Sequence, residues 1–248
     1  MTSRLSEPVQ QAIILAAGNG DRFKSPVAES KLVRPVLGIP LIIRTLDSAA
    51  RAGIREAEIV LGYQADQVRR LVQREKPPAL AVRFHVNDRW HEENGVSALA
   101  ARASFPDGRF ALLMGDHLFE SEALQLLLRT RAADDESLLA VDRRPAPPEV
   151  SEEATRVQLD EDNRVRAIGK MIQPYDALDT GLFVCAPALF EALDESCAAG
   201  DTTLSGGIRR LASRGLVRGV DIGDRVWCDI DTLADLANAE GLLRAQPA

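Results

Sequence analysis

Gln11-Ala12-Ile13-Ile14-Leu15-Ala16-Ala17-Gly18-Asn19-Gly20-Asp21-Arg22 is the stretch on which the reading of the chain turns. Its apolar half is short and continuous rather than alternating, the pattern of a strand covered on both faces in a parallel sheet. The strand runs straight into small residues and glycines. A backbone free of bulky side chains comes close to a ligand, and successive N–H groups can wrap an anion. Arg22 adds a permanent charge with forked donors. Lys31 is near enough in sequence for a folded-back loop to place its ammonium on the same triphosphate.

Two better-known phosphate loops do not fit. A dinucleotide fingerprint needs Gly-x-Gly-x-x-Gly opening directly into a helix, and Phe23 stands where the last glycine would be. A Walker loop needs Gly-Lys-Ser/Thr, which does not follow here. Gly18-Asn19-Gly20 alone fits an ordinary turn, so its neighbours carry the argument.

Outward from this stretch the chain alternates. Helical spacing covers 40–52, 64–74, 97–104 and 122–131, with strands at 58–61, 82–86 and 110–114 between them. Alternation of this kind implies an α/β fold with a parallel sheet wound by right-handed crossovers, helices on both faces. The second half reads differently. Segments 155–159 and 164–168 flank Asp160-Glu161-Asp162-Asn163 as a hairpin-like pair, and a short strand is expected at 182–185. Helices follow at 187–197 and 206–213, an extended piece at 226–230, and a closing helix at 232–244. One domain is expected over 1–248, with a nucleotide-binding half at about 12–143 and an acceptor half plus closing helix at about 144–248.

Apolar residues form 46% of the chain, enough for a packed core, and no apolar run reaches membrane-spanning length. Direct membrane insertion is therefore not expected, and a cytoplasmic location is. The net charge of −7 argues against nucleic acid as a partner. Cys185, Cys197 and Cys228 have no metal-like spacing and read as reduced thiols.

The strand at 110–114 ends in Gly115-Asp116-His117. A carboxylate just beyond such a strand lies at the carboxyl edge of the sheet, where ligands bind, and its hard oxygens suit Mg²⁺. It also fits a helix cap or turn. A second acidic group, Asp229-Ile230-Asp231-Thr232, precedes the last helix; either aspartate suits a second metal ligand, and Asp231 or Thr232 also suits a cap. His117 reads as a positioning residue, because a phosphate monoester is already anionic and needs no strong base. His85 and His91 read as structural. Lys31 and Lys170 are two of the chain's few lysines.

The run Leu15-Ala16-Ala17-Gly18-x-Gly20-x-Arg22, then Lys31, then Gly38-x-Pro40-Leu41-Ile42, resembles the signature of the sugar-phosphate nucleotidyltransferases. Leu32 departs from it, standing where that superfamily usually has proline. The resemblance implies a mostly parallel, Rossmann-like nucleotidyltransferase sheet with a small β-rich acceptor-binding region. Asn87 to Ser97 resembles the Asn-x-x-aromatic…Asn-x-x-Ser pattern of cytidylyltransferases. With Ile168-Gly169-Lys170, Asp179-Thr180-Gly181 and Leu204-Ser205-x-Gly207-Ile208 in order, the chain is similar to the inositol-1-phosphate cytidylyltransferase family from about Ala12 to Leu243.

That resemblance implies CTP and a small phosphorylated alcohol as substrates and Mg²⁺ as cofactor. Leu15, Ala16, Ala17, Gly18, Asn19, Gly20, Asp21, Arg22, Lys31 and Gly62 would hold the nucleotide, with Asn94, Gly95 and Ser97 near base and ribose. Asp116 with Asp229 or Asp231 would hold the metal. Lys170 would meet the acceptor phosphate, and His117, Asp179, Thr180 and Gly181 would line the acceptor pocket. Arg22, Lys31 and Lys170 would carry the catalytic charge. A separate membrane CDP-alcohol transferase is the expected consumer of the product, and a homodimer is left open. The rival readings are a cytidylyltransferase for phosphocholine or 2-aminoethylphosphonate, a sugar-1-phosphate nucleotidyltransferase, and a non-catalytic nucleotide-binding module.

Overall fold

The computed structural model describes residues 8–20, 23, 29–145 and 153–245. In chain order its strands are β1 (Gln11–Ala16), β2 (Pro35–Val36), β3 (Ile39–Pro40), β4 (Glu56–Leu61), β5 (Ala81–Val86), β6 (Phe110–Met114), β7 (His117–Phe119), β8 (Ser137–Asp142), β9 (Arg156–Leu159), β10 (Val165–Gly169), β11 (Ala177–Cys185), β12 (Val217–Asp221) and β13 (Trp227–Asp229). The α-helices are α1 (Leu41–Ala52), α2 (Ala65–Glu75), α3 (Asn94–Ala100), α4 (Ser121–Arg129), α5 (Ala188–Ala198), α6 (Leu204–Ser213) and α7 (Leu233–Ala245).

β1 lies inside a nine-stranded sheet, with β4 and β6 parallel to it on its two sides. Its side chains divide between two apolar layers. Ala12, Ile14 and Ala16 join one, Ile13, Leu15 and Ala17 the other. Both faces are covered, which is why the run is apolar without alternation. The chain winds from β1 through β4 to β5, then returns to place β6 on the far side of β1. The winding therefore reverses between β1 and β6, and the crevice outside the carboxyl ends of strands at such a point is where open α/β sheets bind ligands.

Three arrangements build the rim of that crevice. Gly115 N–H donates to Leu15 O at 2.8 Å, locking the end of β6 to the end of β1. Helix α1 buries Ile42, Leu46 and Ala49 against the sheet, and Leu41 in the cluster with Leu118 and Ile230. Its Thr45 hydroxyl lies 3.2 Å from Gly115 O and 3.1 Å from His117 O, fixing the turn between β6 and β7. β13 pairs antiparallel with β7, with Asp229 opposite His117. That two-stranded ribbon brings residues distant in sequence beside the end of β6. Helix α7 closes this side through Ala239, packed in a cluster with Leu118 and Ile230.

The second half differs from the sequence expectation. β11 is nine residues long and pairs with β6, β8 and β9, whereas a strand was expected only at 182–185. β9 and β10 pair as the expected hairpin-like unit, and through β11 they join the main sheet. β8 and β12 are parallel partners that the sequence reading left out. Every residue of β8 is buried, so it shows no alternation, and β12 mixes Arg218 and Gly219 into an edge position. No helix among the described residues is long and apolar enough to cross a membrane.

Candidate active site

Lys31 opens a single 3₁₀ turn, Lys31–Val33, capped by the Ser30 side chain, which accepts from Leu32 N–H. Ser30 N–H donates to Gln67 Oε1 of α2 at 3.0 Å, pinning the turn to the sheet's helical layer. The Lys31 ammonium reaches 2.7 Å from Asp116 Oδ2 and 2.5 Å from Asp231 Oδ1. Burial alone would pull its pKa down, but Asp116, Asp231 and Asp229 more than offset this and hold the ammonium charged well above its usual range. Gly20 lies over the stem of Lys31. Its φ is +63°, and a Cβ there would sit 3.2 Å from Lys31 Cγ and Cδ, so the Gly-rich loop and the lysine are in direct contact.

His117 stands beside this group. Its Nδ1 is 2.9 Å from Thr180 O, and its Nε2 is 3.5 Å from Asp229 Oδ1 and 3.9 Å from Asp116 Oδ1. Burial would lower the imidazole pKa, but Asp229 and Asp116 raise it overall. The Asp229 carboxyl is pushed up to about 7 by loss of solvent and by the carboxylates of Asp116 and Asp231, against the pull of His117 and Lys31. Asp179 is pushed up to about 6 by burial, although its carboxylate accepts from Gly181 N–H at 2.8 Å.

The donor set fits a divalent cation. Asp116, His117 and Asp229 offer ligand atoms within 4.8 Å of one another. Asp116 and Asp231 converge on a single ammonium, which puts Asp231 alongside Asp229 in the group rather than behind it. Asp231 lies beyond the end of β13, so Asp229 and Asp231 do not share a strand face. Its backbone N–H and that of Thr232 both donate to Asp235 Oδ2, so Asp235 holds the start of α7.

The nucleotide side is assembled in part. Leu15, Ala16 and Ala17 are buried and Gly18 is exposed beyond them. Gly62 fits because a Cβ would come within 2.3 Å of Trp90 Cβ and 2.7 Å of Ala17 O. Asn94 reaches the same rim, with Nδ2 4.0 Å from Met114 Sδ, while its Oδ1 accepts from Leu204 N–H. Ser97 and Gly95 are differently placed. Helix α3 begins at Asn94, three residues earlier than expected, and the first-turn Gly95 N–H donates to Thr202 O. That leaves Ser97 inside the helix, buried, with Asn87 Nδ2 donating to its hydroxyl at 2.9 Å. Asp21 and Arg22 lie outside the described residues.

On the acceptor side, Gly181 and Asp179 lie against His117, but Thr180 does not offer its hydroxyl there. It is fully buried and donates to Ala140 O at 2.9 Å, so its contribution is the carbonyl that meets His117. Lys170 is exposed after β10 and lines a cavity of about 540 Å³ with Arg166, Ile168, Met171 and Arg209. Asp116 and His117 are not among the residues that line it. The sequence reading gave no role to Tyr63, whose N–H donates to Ala17 O and whose ring meets Trp90 at 5.5 Å. An aromatic residue directly after Gly62 was the available signal.

Comparisons with known proteins bear on the family and the fold. A Rubrobacter xylanophilus protein named a bifunctional IPC transferase and DIPP synthase is 36% identical over 236 residues, covering 94% of this chain and 51% of that protein. An Aquifex aeolicus protein of the same name is 30% identical over 239 residues, covering 95% of this chain and 52% of its own length. The chain thus spans about half the length of these relatives. The fold is that of the inositol-1-phosphate CTP transferase from T. maritima, with a TM-score of 0.82 at 23% identity, covering 98% of this chain and 100% of that one. The sequence profile of the MobA-like NTP transferase domain matches residues 12–213, more than half of the chain, and the chain belongs to that nucleotidyltransferase family.

Proposed function

We propose that the chain transfers CMP from CTP to inositol 1-phosphate, giving CDP-inositol and pyrophosphate, with Mg²⁺ as cofactor. The observation that carries this reading is the meeting of Lys31, Asp116 and Asp231 beneath the Gly-rich loop at the β1–β6 reversal. Cytidine and inositol phosphate are taken from the names of the similar proteins.

An oxygen of the acceptor phosphate bonds to the α-phosphorus of CTP, and the bond from that phosphorus to the bridging oxygen breaks, releasing pyrophosphate. Both partners are anionic, so the task is positioning and charge neutralisation rather than proton removal. Asp116, Asp229 and Asp231 would hold Mg²⁺, which supplies positive charge to the phosphates when bound. Arg22 and Lys31 are assigned to the triphosphate and Lys170 to the acceptor phosphate. His117, held by Thr180 O and covering Gly181, orients the acceptor side.

An anionic polyol phosphate is favoured over a cationic acceptor. A cationic headgroup wants free aromatic or acidic partners. Tyr175 already faces the Arg156 guanidinium at 5.1 Å, Phe183 is buried, and Trp227 Nε1 donates to Asp142. Mass spectrometry after incubation with Mg²⁺, CTP and inositol 1-phosphate tests the assignment. A CDP-inositol mass is expected; recovery of both substrates unchanged contradicts it.

A further inference from the structure

We propose that Lys31 is a tethered counter-cation that competes with the divalent cation for Asp116 and Asp231, and that a triphosphate on the Gly-rich loop relieves the competition. The inference rests on the nucleotidyltransferase reading above and adds an order to it: cation and nucleotide are taken up together, and the cation alone is refused.

The Lys31 ammonium lies between the oxygens that would hold a metal, 2.7 Å from Asp116 Oδ2 and 2.5 Å from Asp231 Oδ1. Two cations sharing one pair of oxygens at such distances repel strongly, the more so in a site shielded from water. The lysine side chain is only 7% exposed, so it does not simply move into solvent when a metal arrives. Its backbone does not yield either. The turn is capped by Ser30 and tied to Gln67.

The remaining freedom is in the four-carbon stem, and that stem lies under Gly20. A triphosphate bound by the N–H groups of the loop therefore offers the ammonium a second set of anions within the sweep of its own side chain. Turning to them, Lys31 frees both carboxylates without any change in the fold. The nucleotide brings the cation as its complex, so the charge that leaves the carboxylates is replaced in the same event.

Mn²⁺ binding to the full chain, read from the paramagnetic resonance signal of free Mn²⁺, tests this without nucleotide or acceptor. Lys31→Met is expected to bind Mn²⁺ at least tenfold more tightly than the wild type, and Lys31→Arg to match the wild type. Adding Asp231→Asn to Lys31→Met should cancel the gain, locating it. Equal affinity in wild type and Lys31→Met overturns the proposal. Should Lys31→Met fail to fold, the lysine Nζ resonances of the wild type decide. Inorganic tripolyphosphate should shift the Lys31 signal at concentrations where Mg²⁺ alone does not, and the reverse order overturns the proposal. A Mn²⁺ gain with no turnover of any triphosphate would sink the functional reading alone; turnover with no gain would sink this inference alone.

Discussion

His117 and Gly181 are packed so closely that a Cβ on the glycine would lie 2.4 Å from both Cε1 and Nδ1 of the imidazole. The same Cβ would come within 2.9 Å of Met114 Cγ, and Gly181 has a φ of +74°, a region that L side chains rarely adopt. Two independent reasons thus require glycine, and both bear on where the imidazole points. Gly181→Ala is expected to displace His117, cost about 1–3 kcal/mol of stability and depress turnover. Thermal unfolding and steady-state kinetics check it. An alanine variant with wild-type kinetics would show that the position of His117 is unimportant.

Gly62 makes the corresponding contact on the nucleotide side, wedged between Trp90 and the carbonyl of Ala17. Gly62→Ala must push the loop or the tryptophan. The expected loss is on the order of ten- to a hundredfold in kcat/KM for CTP, with the KM of the acceptor unchanged. A rise in the acceptor KM alone would place Gly62 on the wrong side of the site.

Asp116 and Asp231 converge on one ammonium, and with Asp229 they are the carboxylates proposed to hold the cation. Asp116→Asn and Asp231→Asn are each expected to lower turnover by about a hundredfold or more and to raise the Mg²⁺ concentration needed for half-maximal rate. A Mg²⁺ dependence unchanged in Asp231→Asn would remove Asp231 from the ligands and leave Asp116 and Asp229.

Away from the site, Glu58 is buried on β4 and accepts from Arg83 Nε at 2.6 Å, with His85 Nε2 also at 2.6 Å. Burial would raise its carboxyl pKa, but the hydrogen bonds and charges of Arg83 and His85 lower it overall. A carboxyl lowered in the folded state adds stability above its unfolded pKa, and that stability is lost as the pH falls through the folded value. Glu58→Gln should therefore cost about 1–3 kcal/mol at neutral pH and flatten the acid limb of the stability profile. Urea midpoints measured from pH 7 down to pH 3 check this; parallel profiles for variant and wild type would contradict it.

The nucleotide half was legible in the sequence because its signals are local. An apolar run ending in small residues, or Asp116 just past a strand, is visible within a few positions. What joins these parts is not local. Lys31 and Asp231 are separated by 200 positions, and only the β7–β13 ribbon brings the late acidic segment beside β6. The resemblance puts Thr180 in the acceptor pocket, yet its hydroxyl faces the Ala140 carbonyl inside the sheet. β8, buried along its whole length, shows no alternation, and unlike β1 it runs into no Gly-rich motif that singles it out.

Pyrophosphate release with Mg²⁺, measured as kcat/KM across the four nucleoside triphosphates and a panel of phosphorylated alcohols, tests the account most directly. The account predicts the largest value for CTP with inositol 1-phosphate, well above CTP with phosphocholine. Release with UTP and glucose 1-phosphate but not with CTP and inositol 1-phosphate would contradict the substrate assignment. No release with any pair would contradict the account as a whole and favour a nucleotide-binding module.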